Sequence, residues 1–391
     1  MLTLDLQEVF PLLICSYYFC TPMKNTGLSR RGVLKRGSYA LGAAVLPTSV
    51  ITATWSSAVH AQSEAQSALP TGLASALSGP ERTNKLVEMA KKEGPVLVYS
   101  SMPQDDMAAL TNEFEKRYGL KTKVWRAGSE KILQRVVLEA KSNRHEVDVI
   151  DTNGPEMEAM HREHLLQVCK SPFLSELIPQ AIQPHKEWIA SRLNIFACAY
   201  NTRLIKKEEL PKSYKDLLDP KWKGKIAVES EDNDWLAGVV TQMGYDKGVA
   251  LFKEIAIKNA VTVRKGHTLL ANLVASGEVP LALTLYNYKV EQMKNAGAPM
   301  DWFALDPTVA RPNGVGVNKN APHPYAAVLF QDFILSVGQS ILGKRDFIPT
   351  STKVPSNLNK MPLTFADPKI TLDDNQKWSK LYDEIFSRKG A

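Results

Sequence analysis

The chain has 391 residues, well beyond the roughly 100–200 of one ordinary core, so two lobes are the first expectation. Its 44% apolar and 23% charged residues, with 22 Gly and 23 Pro, exclude collagen-like, coiled-coil and wholly disordered chains. The formal charge is +7, and the first 61 residues carry +3 of it, from Lys24, Arg30, Arg31, Lys35 and Arg36 against Asp5 and Glu8. In the remainder Lys and Arg are spread among nearly equal acids, a pattern that argues against a nucleic-acid partner.

Residues 29–35 read SRRGVLK and are followed by a modestly apolar run from Tyr39 to Ala53, the layout of a twin-arginine export leader. Pro47, Gly42, Thr48 and Ser49 interrupt that run, which is shorter than the roughly 20 apolar residues that span a bilayer, so no stable membrane insertion of the mature chain is expected. Val59-His60-Ala61 suits cleavage before Gln62, and Met23 is a better start than Met1 because Asp5 and Glu8 do not fit a signal n-region. The expected signal region is therefore 1–61 and the expected location the periplasm. There, Cys169 and Cys198 could form a disulfide or remain two separate buried thiols, and no CxxC or Cys/His cluster suggests a metal.

Ser, Ala and Gln dominate residues 62 to about 80, which predicts a flexible segment over 62–83. A helix is predicted from Asn84 to Glu93, a strand at Pro95–Tyr99 and a helix through Met107, Leu110, Phe114 and Tyr118. A strand at Lys121–Arg126, a helix that Ser129 could cap and a strand at Val147–Asp151 follow. This alternation predicts a parallel sheet covered on both faces, with ligands at the carboxyl ends of its strands. Those ends carry Tyr99, Ser100 and Ser101, then Arg126 to Ser129, then Asp151 to Asn153, each before a helix start that favours anions.

The run Leu193–Tyr200 has no amphipathic alternation and reads as a buried strand opening a second lobe. Strands at Lys225–Glu229, Val261–Val263 and Pro280–Leu285 alternate there with helices, exposing Asp234, Trp235, Arg264, Thr268, Tyr286 and Tyr288 at their ends. Trp302–Leu305 and Val315–Val317 read as strands returning to the first lobe, ahead of one helix over Tyr325–Leu342. Two crossings between lobes make a hinge. Helix-start residues with Arg126 and Arg264 suit a carboxylate or phosphate, while Trp235 and the tyrosines could sandwich a flat ring.

No G-x-S-x-G or HExxH occurs, and Gly314-Val315-Gly316 lacks the third glycine of a dinucleotide fingerprint. Gly338–Arg345 (GQSILGKR) nearly matches a phosphate loop but has Arg345 where Ser or Thr would hold magnesium. His161 and His164 lie three apart with Arg162 and Glu163 between them, which suggests a solvated surface more than a metal pair.

Three stretches carry a resemblance: Leu210–Glu229 (LPKSYKDLLDPKWKGKIAVE), Ser276–Tyr288 (SGEVPLALTLYNY) and Asn313–Leu342. With the PVLVYSS opening they resemble the extracellular solute-binding proteins of ABC importers, of the ferric-iron and thiamine group. The resemblance implies an α/β periplasmic-binding-protein type II fold, with two doubly wound lobes and a two-crossing hinge. Lobe I would be 84–195 plus 306–345, lobe II 196–305, and 346–391 a C-terminal segment packing on both. It also implies capture of a small solute or metal without turnover, delivery to a membrane permease coupled to an ATPase, and no resident cofactor; an enzyme on the same fold is the alternative class. Ferric-binding members use adjacent tyrosines where this chain reads Tyr286-Asn287-Tyr288, and Ser100, Ser101 and Met102 stand where they have a histidine. In a continuing strand Tyr286 and Tyr288 would share one face. The expected ligand is thus a small organic anion or phosphorylated compound, with ferric iron (through Tyr286 and Tyr288) and thiamine or its phosphates as alternatives.

Overall fold

A computed structural model describes residues 70–356 and 362–387. The twin-arginine run, the cleavage point after Ala61 and the first part of the Ser/Ala-rich segment lie outside the described residues. That segment is helical where it is described: α1 spans Pro70–Ala76, and α2 runs Arg82–Ala90, starting two residues before the predicted helix. Arg82 holds both against the core through a buried ion pair with Asp332, at 2.7 Å, and through the Ser75 carbonyl.

The alternation then follows in order: β1 (Val96–Ser100), α3 (Gln104–Tyr118), β2 (Thr122–Arg126), α4 (Ser129–Lys141), β3 (Val149–Asn153) and α5 (Gly154–Arg162). Strands β2, β1 and β3 are parallel neighbours, as the pattern predicts. Strand β4 is longer than its apolar run, Trp188–Asn201, and is buried throughout. The second set is β5 (Ile226–Glu229), α6 (Asn233–Met243), α7 (Tyr245–Asn259), β6 (Thr262–Arg264), α8 (His267–Ser276), β7 (Leu281–Tyr286) and α9 (Asn287–Asn295). Here β6, β5 and β7 are parallel. Strand β8 (Met300–Phe303) is followed by β9 (Thr308–Asn318), α10 (Pro324–Leu335), α11 (Val337–Lys344), α12 (Pro368–Asp373) and α13 (Asn375–Phe386).

One path of strands, β2-β1-β3-β9-β4-β7-β5-β6, joins the two sets. The amino-terminal part of β4 pairs antiparallel with β9, and its carboxyl part, Phe196–Asn201, pairs with β7 and β8. Thus β4 and β9 are the two chain crossings. The predicted return strand Trp302–Leu305 is instead β8, which stays paired to the second part of β4. The long helix predicted over Tyr325–Leu342 is two helices, bent by 53° at Ser336.

Close packing explains two sequence features. A Cβ on Gly314 would meet the Trp188 ring at 2.5 Å and one on Gly316 the Met157 side chain at 2.7 Å, so the Gly-Val-Gly run admits side chains from β4 and α5. Cys169 and Cys198 are separate buried thiols, and burial pushes the Cys169 thiol up to about 12.

Candidate functional site

Across the two crossing strands the register sets Asn194 opposite Arg311 and Arg192 opposite Asn313. Residues two apart on a strand share a face, so these four polar side chains stand together. The opposite face, with Leu193, Ile195 and Ala310, is buried against Ile348. Both ends of the polar face are held by carboxylates, one from strand β3 and one from the start of helix α6.

At the first end Asp151, near the end of β3, receives Arg192 Nη1 at 2.6 Å and Ser100 Oγ at 2.8 Å. Both partners in this ion pair are almost fully enclosed, with side-chain exposures of 2% and 4%. Asp151 therefore ties the sheet to the crossing instead of capping α5, whose N-cap residue is Asn153. Asn153 Oδ1 accepts from Asn313 Nδ2 at 2.8 Å, and the Ser101 amide donates to the Asp151 carbonyl. At the other end Asp234, in the first turn of α6, receives Arg311 Nη1 at 3.2 Å. The Arg311 guanidinium also lies over the Phe196 and Tyr286 rings, 5.1 and 5.2 Å from their centroids.

Beside Arg311 runs a column of four rings. His267 stacks on Tyr286 at 4.0 Å, Tyr286 lies 5.8 Å from Tyr288, and Tyr288 stacks on Phe347 at 4.0 Å. Arg192 closes the column, 5.6 Å from the Phe347 ring. Tyr286 ends β7 in an extended conformation and Asn287 opens α9, so the two tyrosines do not share a strand face as predicted. The strand-to-helix turn nonetheless leaves their rings within 13° of parallel.

Several buried polar atoms here have no hydrogen-bond partner: Nε of Arg192 and of Arg311, the Tyr286 hydroxyl, and Oδ1 of Asn194, Asn287 and Asn313. Such atoms cost about 1–3 kcal/mol each when left unmet. Glu156, in the first turn of α5, is raised from 4.5 to about 7 by burial, opposed by the charge of Arg311. Burial pushes the Tyr288 phenol far up, against the pull of Arg192 and Arg126.

The remaining predicted residues fall elsewhere. Tyr99 is a core residue of β1 whose hydroxyl donates to Glu139 at 2.7 Å. Trp235 is 1% exposed among Tyr214, Phe252 and Phe386, so its ring is enclosed by core aromatics and cannot sandwich a ligand. Ser129 is the first residue of α4, and Gly128 holds the N-cap position assigned to it. Arg126 is exposed at the end of β2, Arg264 bonds the Val263 carbonyl, and Thr268 is exposed on α8. Arg192, Asn194, Arg311, Asn313, Glu156 and Phe347 were not predicted. The polar-apolar alternation Arg192-Leu193-Asn194-Ile195 is the signal available for the first two.

Among the described residues two clusters hold metal-ligating groups, Glu158 with His161 and His185, and Glu229 with Asp232 and His267. In the first the two imidazoles are stacked, 3.6 Å apart and 11° from parallel, so one ion cannot lie in both ring planes. Their carboxylates satisfy them instead, His161 pairing with Glu187 at 2.8 Å and His185 with Glu158 at 3.3 Å.

Residues 147–374 match the family described as bacterial extracellular solute-binding protein. The chain is 25% identical over 288 residues to the "Iron uptake protein A1" of Synechocystis, covering 69% of this chain and 79% of that one. It is 24% identical over 318 residues to the "Fe(3+)-binding periplasmic protein" of Serratia marcescens, covering 78% and 92%. Among solved structures, the periplasmic binding protein AfuA of Actinobacillus pleuropneumoniae, with fructose-6-phosphate bound, superposes with a TM-score of 0.66 at 24% identity, covering 75% of this chain and 99% of AfuA.

Proposed function

From the premise that this chain belongs to the bacterial extracellular solute-binding proteins, we propose that it captures a small organic anion, carboxylate or phosphate, in the periplasm. Its fold is the type II periplasmic-binding-protein fold, and its family works with an ABC permease and an ATPase. The ligand would sit on the polar face of β4 and β9, between bodies made of 84–195 plus 306–345 and of 196–305. Neither body changes it chemically.

The observation that carries the reading is the pair of buried, unpartnered Nε–H groups on Arg192 and Arg311. Their Nη1 groups are already committed to Asp151 and Asp234, so each guanidinium is oriented with its Nε donor to spare. The oxygen atoms of Asn194, Asn287 and Asn313 accept hydrogen bonds, which favours an anion that also carries hydroxyl or amino donors. Asn153, Asp234, Tyr286 and Tyr288 complete the proposed lining. A ligand that touches both bodies favours the closed arrangement by its differential affinity, the only means by which it can shift a hinge.

Ferric iron is the second reading, supported by the neighbouring Tyr286 and Tyr288 phenols and by relatives named for iron. Calorimetry with a panel of carboxylates, sugar phosphates and ferric citrate separates the two. An anion bound by the wild type and at least about tenfold more weakly by Arg311→Gln supports the first. A phenolate charge-transfer band lost in Tyr288→Phe would replace it with the second.

A further inference from the structure

We propose that Glu229, Asp232 and His267 form a site for a divalent transition-metal ion, of the Zn²⁺ class, at the carboxyl end of β5. One ligand atom from each residue lies within 4.8 Å of the other two. Asp232 is 1% exposed, and its Oδ2 has no hydrogen-bond partner. His267 Nε2, also buried without a hydrogen bond, faces it at 3.2 Å. Two ligands bonded to a tetrahedral zinc at about 2.0–2.1 Å stand roughly 3.3 Å apart, a spacing that the Asp232–His267 pair matches, with Glu229 within 4.8 Å of both.

The surroundings fix the donors in place. Glu229 accepts from the backbone amides of Gly266, at 2.7 Å, and of Glu231, at 2.6 Å. The first of these binds the carboxylate to the residue just before His267. The Tyr382 hydroxyl donates to the Glu229 carbonyl, which brings α13 over the cluster. Tyr286 stacks on the His267 ring at 4.0 Å, in a nearly parallel plane, so it walls the imidazole and supplies no donor to an ion in the ring plane.

Charge leads to the same assignment. Of the other acids on this loop, Glu231 pairs with Lys265 at 3.2 Å and Asp234 with Arg311. Among the described residues, neither Glu229 nor Asp232 has a lysine or arginine within ion-pair distance, and Arg311 acts on Asp232 only at longer range. Two enclosed carboxylates beside one imidazole are a costly arrangement that a dication relieves. A mixed oxygen and nitrogen donor set suits borderline ions such as Zn²⁺, with a fourth position open to water.

The site shares the Tyr286 ring with the solute face proposed above, and its test is separate. Zn²⁺ is titrated by calorimetry into tag-free, chelator-treated protein, with X-ray absorption on the loaded sample. The expected result is one ion per chain in a shell of one imidazole and oxygen ligands. Asp232→Asn and His267→Gln should each weaken binding at least about tenfold while circular dichroism stays unchanged. His161→Gln, in the stacked cluster, should leave it unaffected. Absence of binding, or affinity that survives both site variants, overturns the assignment. Arg311→Gln separates the two proposals: it should weaken anion capture and retain zinc.

Discussion

The two arginines on the crossing strands occupy corresponding positions and are held in different ways. Arg192 meets Asp151 at 2.6 Å, and Ser100 completes the carboxylate's second oxygen. Arg311 meets Asp234 at 3.2 Å and rests on two aromatic faces. The first satisfies both carboxylate oxygens and fixes the strand to the sheet while leaving Arg192 Nε free; the second is a looser contact between β9 and a helix start. The difference teaches which end of the polar face is scaffold and which end is free to respond to a ligand.

The largest expected effect breaks the scaffold end. Arg192→Ala leaves Asp151 charged and enclosed, and should lower stability by about 3–5 kcal/mol in chemical denaturation. Arg311→Gln should cost clearly less stability and instead reduce anion affinity at least about tenfold, which reverses the order of the two residues when binding is measured. The tyrosines sharpen the same contrast. Tyr99→Phe removes a donor from buried Glu139 and should cost about 1–3 kcal/mol, whereas Tyr286→Phe deletes a hydroxyl without a partner and should cost less than about 1 kcal/mol while still weakening the ligand.

A pH dependence probes the same responsive end. Burial raises Glu156 from 4.5 to about 7, so the folded protein binds that proton more tightly than the unfolded chain does. Its contribution to stability is present in full below pH 4.5 and is lost as pH rises through about 7. Denaturation curves for Glu156→Gln should be flatter over this window than those of the wild type. Unchanged curves would remove Glu156 from the enclosed junction.

Much of the sheet was legible because periodicity reports burial. The βαβαβ order and the parallel pairing stand, while β1, β3 and β7 end at Ser100, Asn153 and Tyr286, one or two residues beyond the predicted apolar runs. Arg192 and Arg311 were not legible, because they lie inside strands and their partners are 41 and 77 residues away. A local pattern cannot show which distant carboxylate neutralises a buried guanidinium. Trp235 failed for the converse reason: its position after β5 suggested a ligand face, and only its packing among Tyr214, Phe252 and Phe386 reveals a core residue.

The central claim, reversible capture of an anion on the face shared by β4 and β9, is tested most directly by native mass spectrometry of protein taken from its own periplasm. The wild type should carry one small non-covalent organic adduct that Arg311→Gln lacks. An adduct retained equally by both, or a wild type that carries only iron, would contradict the account.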